Sequence, residues 1–257
     1  MFFLATVLCL SAVLLIFMVK EAFENNIVHH EIPLKGEEEK YTLFFISDIH
    51  TRKISDKMIQ HIEQPIHAVI IGGDLADRRT PIETIYRNIQ LLQTLGPIFF
   101  IWGNNDREVG EERLRKIFKE LGVTVIENDA VLFPNMKNRC WLSAVDDVSS
   151  RKSNPEQAFN KCNREDAVIF VSHNPQLFTT IKNKYDANVY LAGHLHGGQI
   201  RLGPFGLYQQ GSLSVKDGKF TLISNGYGTT LVPLRLGAKP ECHIIDLIFR
   251  RELRTNL

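Results

Sequence analysis

Tyr41-Thr42-Leu43-Phe44-Phe45-Ile46-Ser47-Asp48-Ile49-His50 carries an aromatic and β-branched run straight into a carboxylate and an imidazole two residues apart. The run has the composition of a buried strand, and the polar pair follows its carboxyl end. The same texture recurs along the chain. Ala68 to Ile71 leads into Gly72-Gly73-Asp74-Leu75-Ala76-Asp77, and Ile98 to Trp102 leads into Gly103-Asn104-Asn105-Asp106. Val168 to Val171 is followed by Ser172-His173-Asn174, and Val189 to Leu191, through Ala192, by Gly193-His194-Leu195-His196-Gly197-Gly198. Between the early runs lie segments of helical spacing: Ile54, Met58, Ile59 and Ile62; then Ile82, Ile85, Ile89 and Leu92; then Leu114, Ile117 and Leu121, with Gly122 as a stop. Strands alternating with helices predict βαβ units and a largely parallel sheet. From Gly198 onward, Gly-rich turns and the stretches Lys219 to Ile223 and Cys242 to Ile248 predict a second, more antiparallel sheet.

An open α/β sheet gathers its ligands beyond the carboxyl ends of its strands, where these polar clusters fall. Strand alternation points Asp48 and His50 the same way, and likewise His194 and His196 if that segment is extended, so that each pair grips one metal ion. Carboxylates, imidazoles and the Asn104 amide make a mixed oxygen and nitrogen set. Such a set suits Mn, Fe, Zn or Co better than an all-oxygen calcium site or a thiolate zinc site. The glycines before Asp74, Asn104 and His194 permit sharp turns that bring ligands close to an ion. Each cluster alone reads as a turn or a cap; their joint order, each bordering a strand, points to a metal site.

In that order the motifs resemble the calcineurin-like metallophosphoesterase family, whose pattern is D-x-H, G-D-x-x-D, G-N-H-D/E, a lone His and G-H-x-H. The resemblance covers residues 43 to about 248. It is closest to the bacterial membrane-associated branch, through Gly197-Gly198-Gln199-Ile200, Gly226-Tyr227-Gly228 and Pro233-Leu234-Arg235. It implies a four-layer α/β/β/α sandwich with an N-terminal transmembrane helix. It implies two divalent metal ions, one held by Asp48, His50 and His196, the other by Asn104, His173 and His194, with Asp74 bridging both. Asp77 and Asp106 stand behind these ligands, and with Asn105 they are the candidates for catalytic support. Asn105 departs from the family, which most often has a histidine there. An amide cannot protonate a leaving oxygen, but it can donate a hydrogen bond to a phosphoryl oxygen. The implied reaction is hydrolysis of a phosphoester or pyrophosphate bond by a metal-bound hydroxide at a two-metal site.

Phe2 to Val19 is apolar apart from Thr6 and Ser11 and carries no charge. As a helix it spans about 27 Å, close to the ~30 Å hydrocarbon core of a bilayer. A cleaved signal peptide fits less well, since there is no basic n-region and no clean small-x-small site before Lys20. The expected organisation is an anchor over residues 1–20, a polar stalk or edge strand over 21–39 and the catalytic domain over 40–257, at the cell membrane in a single pass. Cys140, Cys162 and Cys242, an odd number, lean the catalytic domain toward the cytoplasmic side. Thirty basic residues against twenty-nine acidic ones give a formal charge of +1, so no nucleic-acid polymer is expected as partner.

The anchor, with the loop Gly203-Pro204-Phe205-Gly206-Leu207-Tyr208 as an apolar lip, favours a lipid-linked phosphoester substrate. The alternatives are a soluble-nucleotide or general phosphodiesterase, and a membrane-tethered binding protein in which Asn105 marks a dead enzyme. His29, His30, His61, His67 and His243 fall outside the pattern and read as surface or structural residues. Arg52, Arg78 and Arg107 follow the metal clusters and read as structural or solvated before they read as phosphate ligands.

Overall fold

The computed structural model describes residues 2–252. The chain opens with helix α1 (Phe2–Ala22), then runs through strands β1 (Asn26–Lys35) and β2 (Glu39–Ile46), helix α2 (Asp56–Gln60), β3 (Ala68–Gly72), α3 (Ile82–Gln93), β4 (Ile98–Ile101), α4 (Glu111–Glu120) and β5 (Thr124–Val125). It continues with β6 (Asp129–Leu132), β7 (Cys140–Ala144), α5 (Pro155–Phe159), β8 (Ala167–Val171), α6 (Leu177–Lys184) and β9 (Val189–Ala192). The small ribbon β10 (Arg201–Leu202) and β11 (Phe205–Gly206), the hairpin β12 (Ser212–Lys216) and β13 (Lys219–Ile223), and β14 (Glu241–Arg250) complete it.

Two six-stranded sheets result, in the orders β1-β14-β2-β3-β4-β5 and β12-β13-β9-β8-β7-β6. Strands β2 to β5 are parallel in the first, as are β7, β8, β9 and β13 in the second. The sheets face each other across an apolar layer that includes Leu43, Phe45, Ile70, Leu142, Ile169 and Leu191. Helices α3 and α4 cover the outer face of the first sheet through Ile85, Ile89, Leu114 and Phe118, while α5 and α6 cover the second through Phe159, Phe178 and Ile181. The four-layer α/β/β/α sandwich is thus present, and burial on both faces explains why the strands read as continuous apolar runs.

Three details differ from expectation. The apolar spacing from Ile54 to Ile62 yields only the five-residue α2, which starts at the Ser55 cap and stops before Pro65, whose ring disfavours helix in the residue preceding it. Strands β6 and β7 carry no alternation strong enough to announce them. Lys219 to Ile223 and Cys242 to Ile248 do not share a C-terminal antiparallel sheet: β13 lies parallel to β9, and β14 returns to the first sheet between β1 and β2, antiparallel to β2. Residues 26–35, within the segment read as a polar stalk or edge strand, pair along their whole length with β14 at the sheet edge and bury Ile32 and Leu34 between the sheets.

Candidate metal centre

The strands stop before the ligands begin. Strand β2 ends at Ile46 and β9 at Ala192, and the residues beyond turn sharply. Asp48, His50, Asp74, His194 and His196 all have positive φ, between 49° and 72°. Such conformations cost non-glycine residues roughly 1–3 kcal/mol each and cluster where a site over-determines the backbone. Strand alternation therefore describes neither pair, although Asp48 and His50 still come together in one group. His194 turns toward Asn104 and His173, whereas His196, opening a short 3-10 turn, faces His50 and Asp48.

Two groups of donor atoms face each other. In the first, Asp48 Oδ1 lies 3.3 Å from His196 Nε2, which lies 3.2 Å from His50 Nε2. In the second, Asn104 Oδ1 is 3.2 Å from His173 Nε2 and 2.9 Å from His194 Nδ1. Asp74 stands between the groups, with Oδ2 3.3 Å from His173 Nε2 and 3.8 Å from His50 Nε2. Asp48, His50 and His196 lie close enough together to hold one ion, and Asp48, Asp74 and His173 to hold another, so Asp48 is common to both groups, while Asp74 belongs to the second and comes within 3.8 Å of His50 Nε2 in the first.

The chemistry of these donors fits divalent cations. His173 Nδ1 meets the Gly72 carbonyl at 2.9 Å, which leaves the Nε2 lone pair facing the group. Burial, with His50 and Arg235 nearby, pushes His196 down to about 3, so its imidazole is neutral. Burial opposes charge on His173 as well, yet the Asp74 and Asp48 carboxylates hold it up to about 10. Two buried carboxylates thus call for positive charge at this point, and ring nitrogens that approach within 3.3 Å need a cation or a proton between them.

The supporting residues lie behind the ligands. Asp106 is fully buried, and its carboxylate accepts the backbone N–H groups of Gly103 at 2.7 Å, Asp74 at 2.9 Å and Ala76 at 3.1 Å. It pins together the turns that carry Asp74 and Asn104, and burial beside Asp74 raises its pKa to about 7. Asp77 approaches His50 Nδ1 at 3.5 Å while Arg79 holds it from the other side at 2.7 Å. Asn105 donates twice to Asp74, from its backbone N–H at 2.8 Å and from Nδ2 at 2.6 Å, and it lines the cavity.

That cavity has a volume of about 510 Å³. Asp74, Asn104, Asn105, His194 and His196 form its polar floor; Ile200, Leu207, Tyr208, Leu231 and Val232 form an apolar rim, so the loop after the last motif is a lip. None of Arg52, Arg78 and Arg107 lines it. Arg52 donates to the Glu24 carbonyl and stacks on Tyr227, Arg107 forks onto Asp146 at 2.9 Å, and Arg78 is exposed. His61 is exposed, His67 stacks on Tyr41, and His243 is buried against His30 and Ser224, all away from the centre.

One residue carries a structural role that its sequence context does not signal. Arg235 is fully buried without a carboxylate partner among the described residues, and its guanidinium donates to the carbonyls of His196, Asn225, Gly226, Gly228 and Ala238. It ties the turn bearing His196 to the loop that passes over Asp48. Nothing in a lone Pro-Leu-Arg announces this.

Two sheets packed face to face, with a histidine and carboxylate cluster at their strand ends, are the architecture of the metallophosphoesterases. The model of the calcineurin-like phosphoesterases matches residues 41–198, and the chain belongs to that family, whose members use divalent metal ions. It is 42% identical to the Bacillus subtilis protein YpbG, with 90% of each chain covered, and 25% identical to the Escherichia coli phosphodiesterase YaeI, with 87% of this chain and 88% of that one covered. Among solved structures, Haemophilus influenzae NAD nucleotidase superposes with a TM-score of 0.52 at 12% identity, over 75% of this chain and 46% of that one, a likeness of fold.

Proposed function

We propose that the chain is a hydrolase of phosphoester or pyrophosphate bonds in which Asp48, His50 and His196 hold one divalent ion, Asn104, His173 and His194 hold a second, and Asp74 bridges them. The observation that carries this reading is the convergence of seven donor side chains from five strand ends, five of the seven on strained backbone and four, Asp74, Asn104, His194 and His196, lining one cavity. Two bound divalent ions lower the pKa of water and neutralise phosphoryl charge, which removes the need for a protein nucleophile. The residues do the rest. Asp77, 3.5 Å from His50 Nδ1, would orient that ring, Asp106 and Arg235 fix the turns, and Asn105 Nδ2, which gives one hydrogen to Asp74, would offer its other to a phosphoryl oxygen on the cavity floor. Because Asn105 has no proton to give, the site favours phosphate or aryl leaving groups, which depart without one.

The helix α1 is long and apolar enough to cross a bilayer, with little of its surface buried, and we read it as a single-pass anchor. Free Cys140, Cys162 and Cys242 support a cytoplasmic catalytic domain. The apolar rim above a polar floor supports a lipid-linked phosphoester or pyrophosphate as substrate. The similarity to a named phosphodiesterase supports a second reading, a general phosphodiesterase acting on soluble nucleotides. Full-length protein loaded with Mn²⁺ in detergent micelles would be offered a lipid pyrophosphate, a cyclic nucleotide and a bis-aryl phosphodiester. Turnover is expected on the lipid and the aryl diester. Cleavage of the water-soluble compounds alone would overturn the lipid reading, and metal binding without any cleavage would overturn the enzyme.

A further inference from the structure

The catalytic domain has a second apolar surface, and it is continuous with the anchor. Outside α1, ten large hydrophobic side chains are exposed among the described residues; besides Leu132 and Val215 on β6 and β12, five line the cavity mouth (Ile200, Leu207, Tyr208, Leu231, Val232), two sit on the adjoining β10–β11 ribbon (Leu202, Phe205), and Phe23 follows α1. Leu202, Phe205 and Leu207 on one side and Leu231 on the other are each at least 71% exposed. A contiguous patch of that kind on a folded domain marks a contact surface.

The geometry ties this patch to the point where α1 meets the domain. The first part of α1 exposes its apolar side chains, but its last turn is docked: Met18 and Ala22 are buried, the Arg235 N–H donates to the Met18 carbonyl at 3.1 Å, and the Gly237 N–H donates to Glu21 Oε1 at 2.9 Å. The loop so gripped carries Leu231 and Val232. Gln199 joins that loop to the β10–β11 ribbon, donating from Nε2 to the Val232 carbonyl at 3.2 Å and accepting from the Thr230 N–H at 3.0 Å. The Arg201 N–H adds a bond to the Leu236 carbonyl at 2.7 Å. A hollow of about 610 Å³, lined in part by Phe23, Lys53, Arg79 and Leu231, runs from the helix base to the rim. Helix base, cationic hollow and apolar rim therefore form one continuous face.

We infer that this rim is a second membrane contact, seated in the interfacial region of the bilayer that holds α1, so that the catalytic cavity opens onto the lipid surface. The inference rests on α1 lying in a bilayer. Apolar side chains beside exposed Lys20 and Lys53 match an interface of acyl chains below anionic headgroups, as in proteins that lie on a membrane. An amphiphilic substrate would then present its phosphate to the floor without leaving the membrane.

Tryptophan depth measurements on the full-length chain test this. Trp102 and Trp141 are buried, so an added surface tryptophan can be read against them. The variants are Phe205→Trp at the rim, Phe17→Trp in α1 and Leu132→Trp as control; Leu132 pairs with Trp141 near the start of β7, at the end of the sheet opposite the metal centre. Each would be reconstituted into phosphatidylcholine–phosphatidylglycerol vesicles with lipids brominated near the headgroup. Phe205→Trp should show blue-shifted emission and a bromine-dependent loss comparable to that of Phe17→Trp, with no added loss for Leu132→Trp. If Phe17→Trp is quenched and Phe205→Trp behaves like the control, the rim contact is wrong and the anchor stands. If neither is quenched, both fall. Phe205→Trp shielded from aqueous iodide but insensitive to bromine would assign the rim to a second protein copy, which also overturns the proposal.

Discussion

Arg235→Met should loosen the metal centre and the anchor dock together. The substitution keeps an apolar stem but removes the guanidinium donors from five buried carbonyls, of which those of His196 and Gly226 keep a backbone N–H donor, from Gln199 and Glu241, and those of Asn225, Gly228 and Ala238 are left bare. Burial lowers the Arg235 pKa to about 10, so the guanidinium is still charged at neutral pH. A buried polar group left without a partner costs about 1–3 kcal/mol, but neighbouring losses are not additive and water refills part of the space. A net loss of about 3–5 kcal/mol follows, above the cost of one stranded carbonyl and below the sum for three. For a chain of this length that lowers Tm by on the order of 10 °C. The assay is thermal unfolding of the detergent-solubilised chain by circular dichroism, with metal retained after gel filtration measured in parallel. Arg235→Lys should fall between wild type and Arg235→Met, because an ammonium has three donors and no fork. A methionine variant that melts within about 2 °C of wild type and keeps its metal would refute the reasoning.

The amide of Asn105 gives a kinetic prediction: Asn105→Ala should lower kcat on a bis-aryl phosphodiester by about 100-fold with little change in KM, the size expected for loss of one transition-state hydrogen bond. An unchanged kcat would remove Asn105 from the reacting phosphoryl group. His243 gives a pH prediction. Burial, with His30 beside it, depresses its pKa to about 3 against an ordinary 6.5, so between those values the unfolded chain takes up a proton that the folded one refuses. Stability is therefore full above pH 6.5 and falls with pH below it, by about 2 kcal/mol from this residue at pH 5. His243→Gln should flatten that part of the stability curve, whatever its effect at pH 7, and an equally steep loss in the variant would assign the slope to other groups.

Much of the centre was legible because strand ends and ligand residues are adjacent in sequence. A buried parallel strand needs an apolar run, and the turn beyond it must carry whatever touches the ligand, so Ile46, Gly72, Trp102, Val171 and Ala192 each pointed at their successors. Detail was lost where the backbone leaves regular geometry. Alternation could not predict that His194 and His196 face different groups, because both residues adopt positive φ beyond the end of β9. The partner of a strand is also not written in its own residues. Cys242 to Ile248 alternates as well for one sheet as for the other, and its place beside β2 depends on contacts with Leu43 and Phe45 some two hundred positions earlier. Arg235 was opaque for a related reason: its acceptors are main-chain carbonyls, which every sequence has.

Metal content measured together with turnover decides whether Asp74 serves a pair of divalent ions, as proposed. Elemental analysis of the Mn²⁺-loaded full-length chain should find two ions per chain and hydrolysis of a bis-aryl phosphodiester; Asp74→Ala, with its circular dichroism unchanged, should lose both metal retention and turnover. A folded Asp74→Ala protein that keeps two ions and full activity would contradict the account.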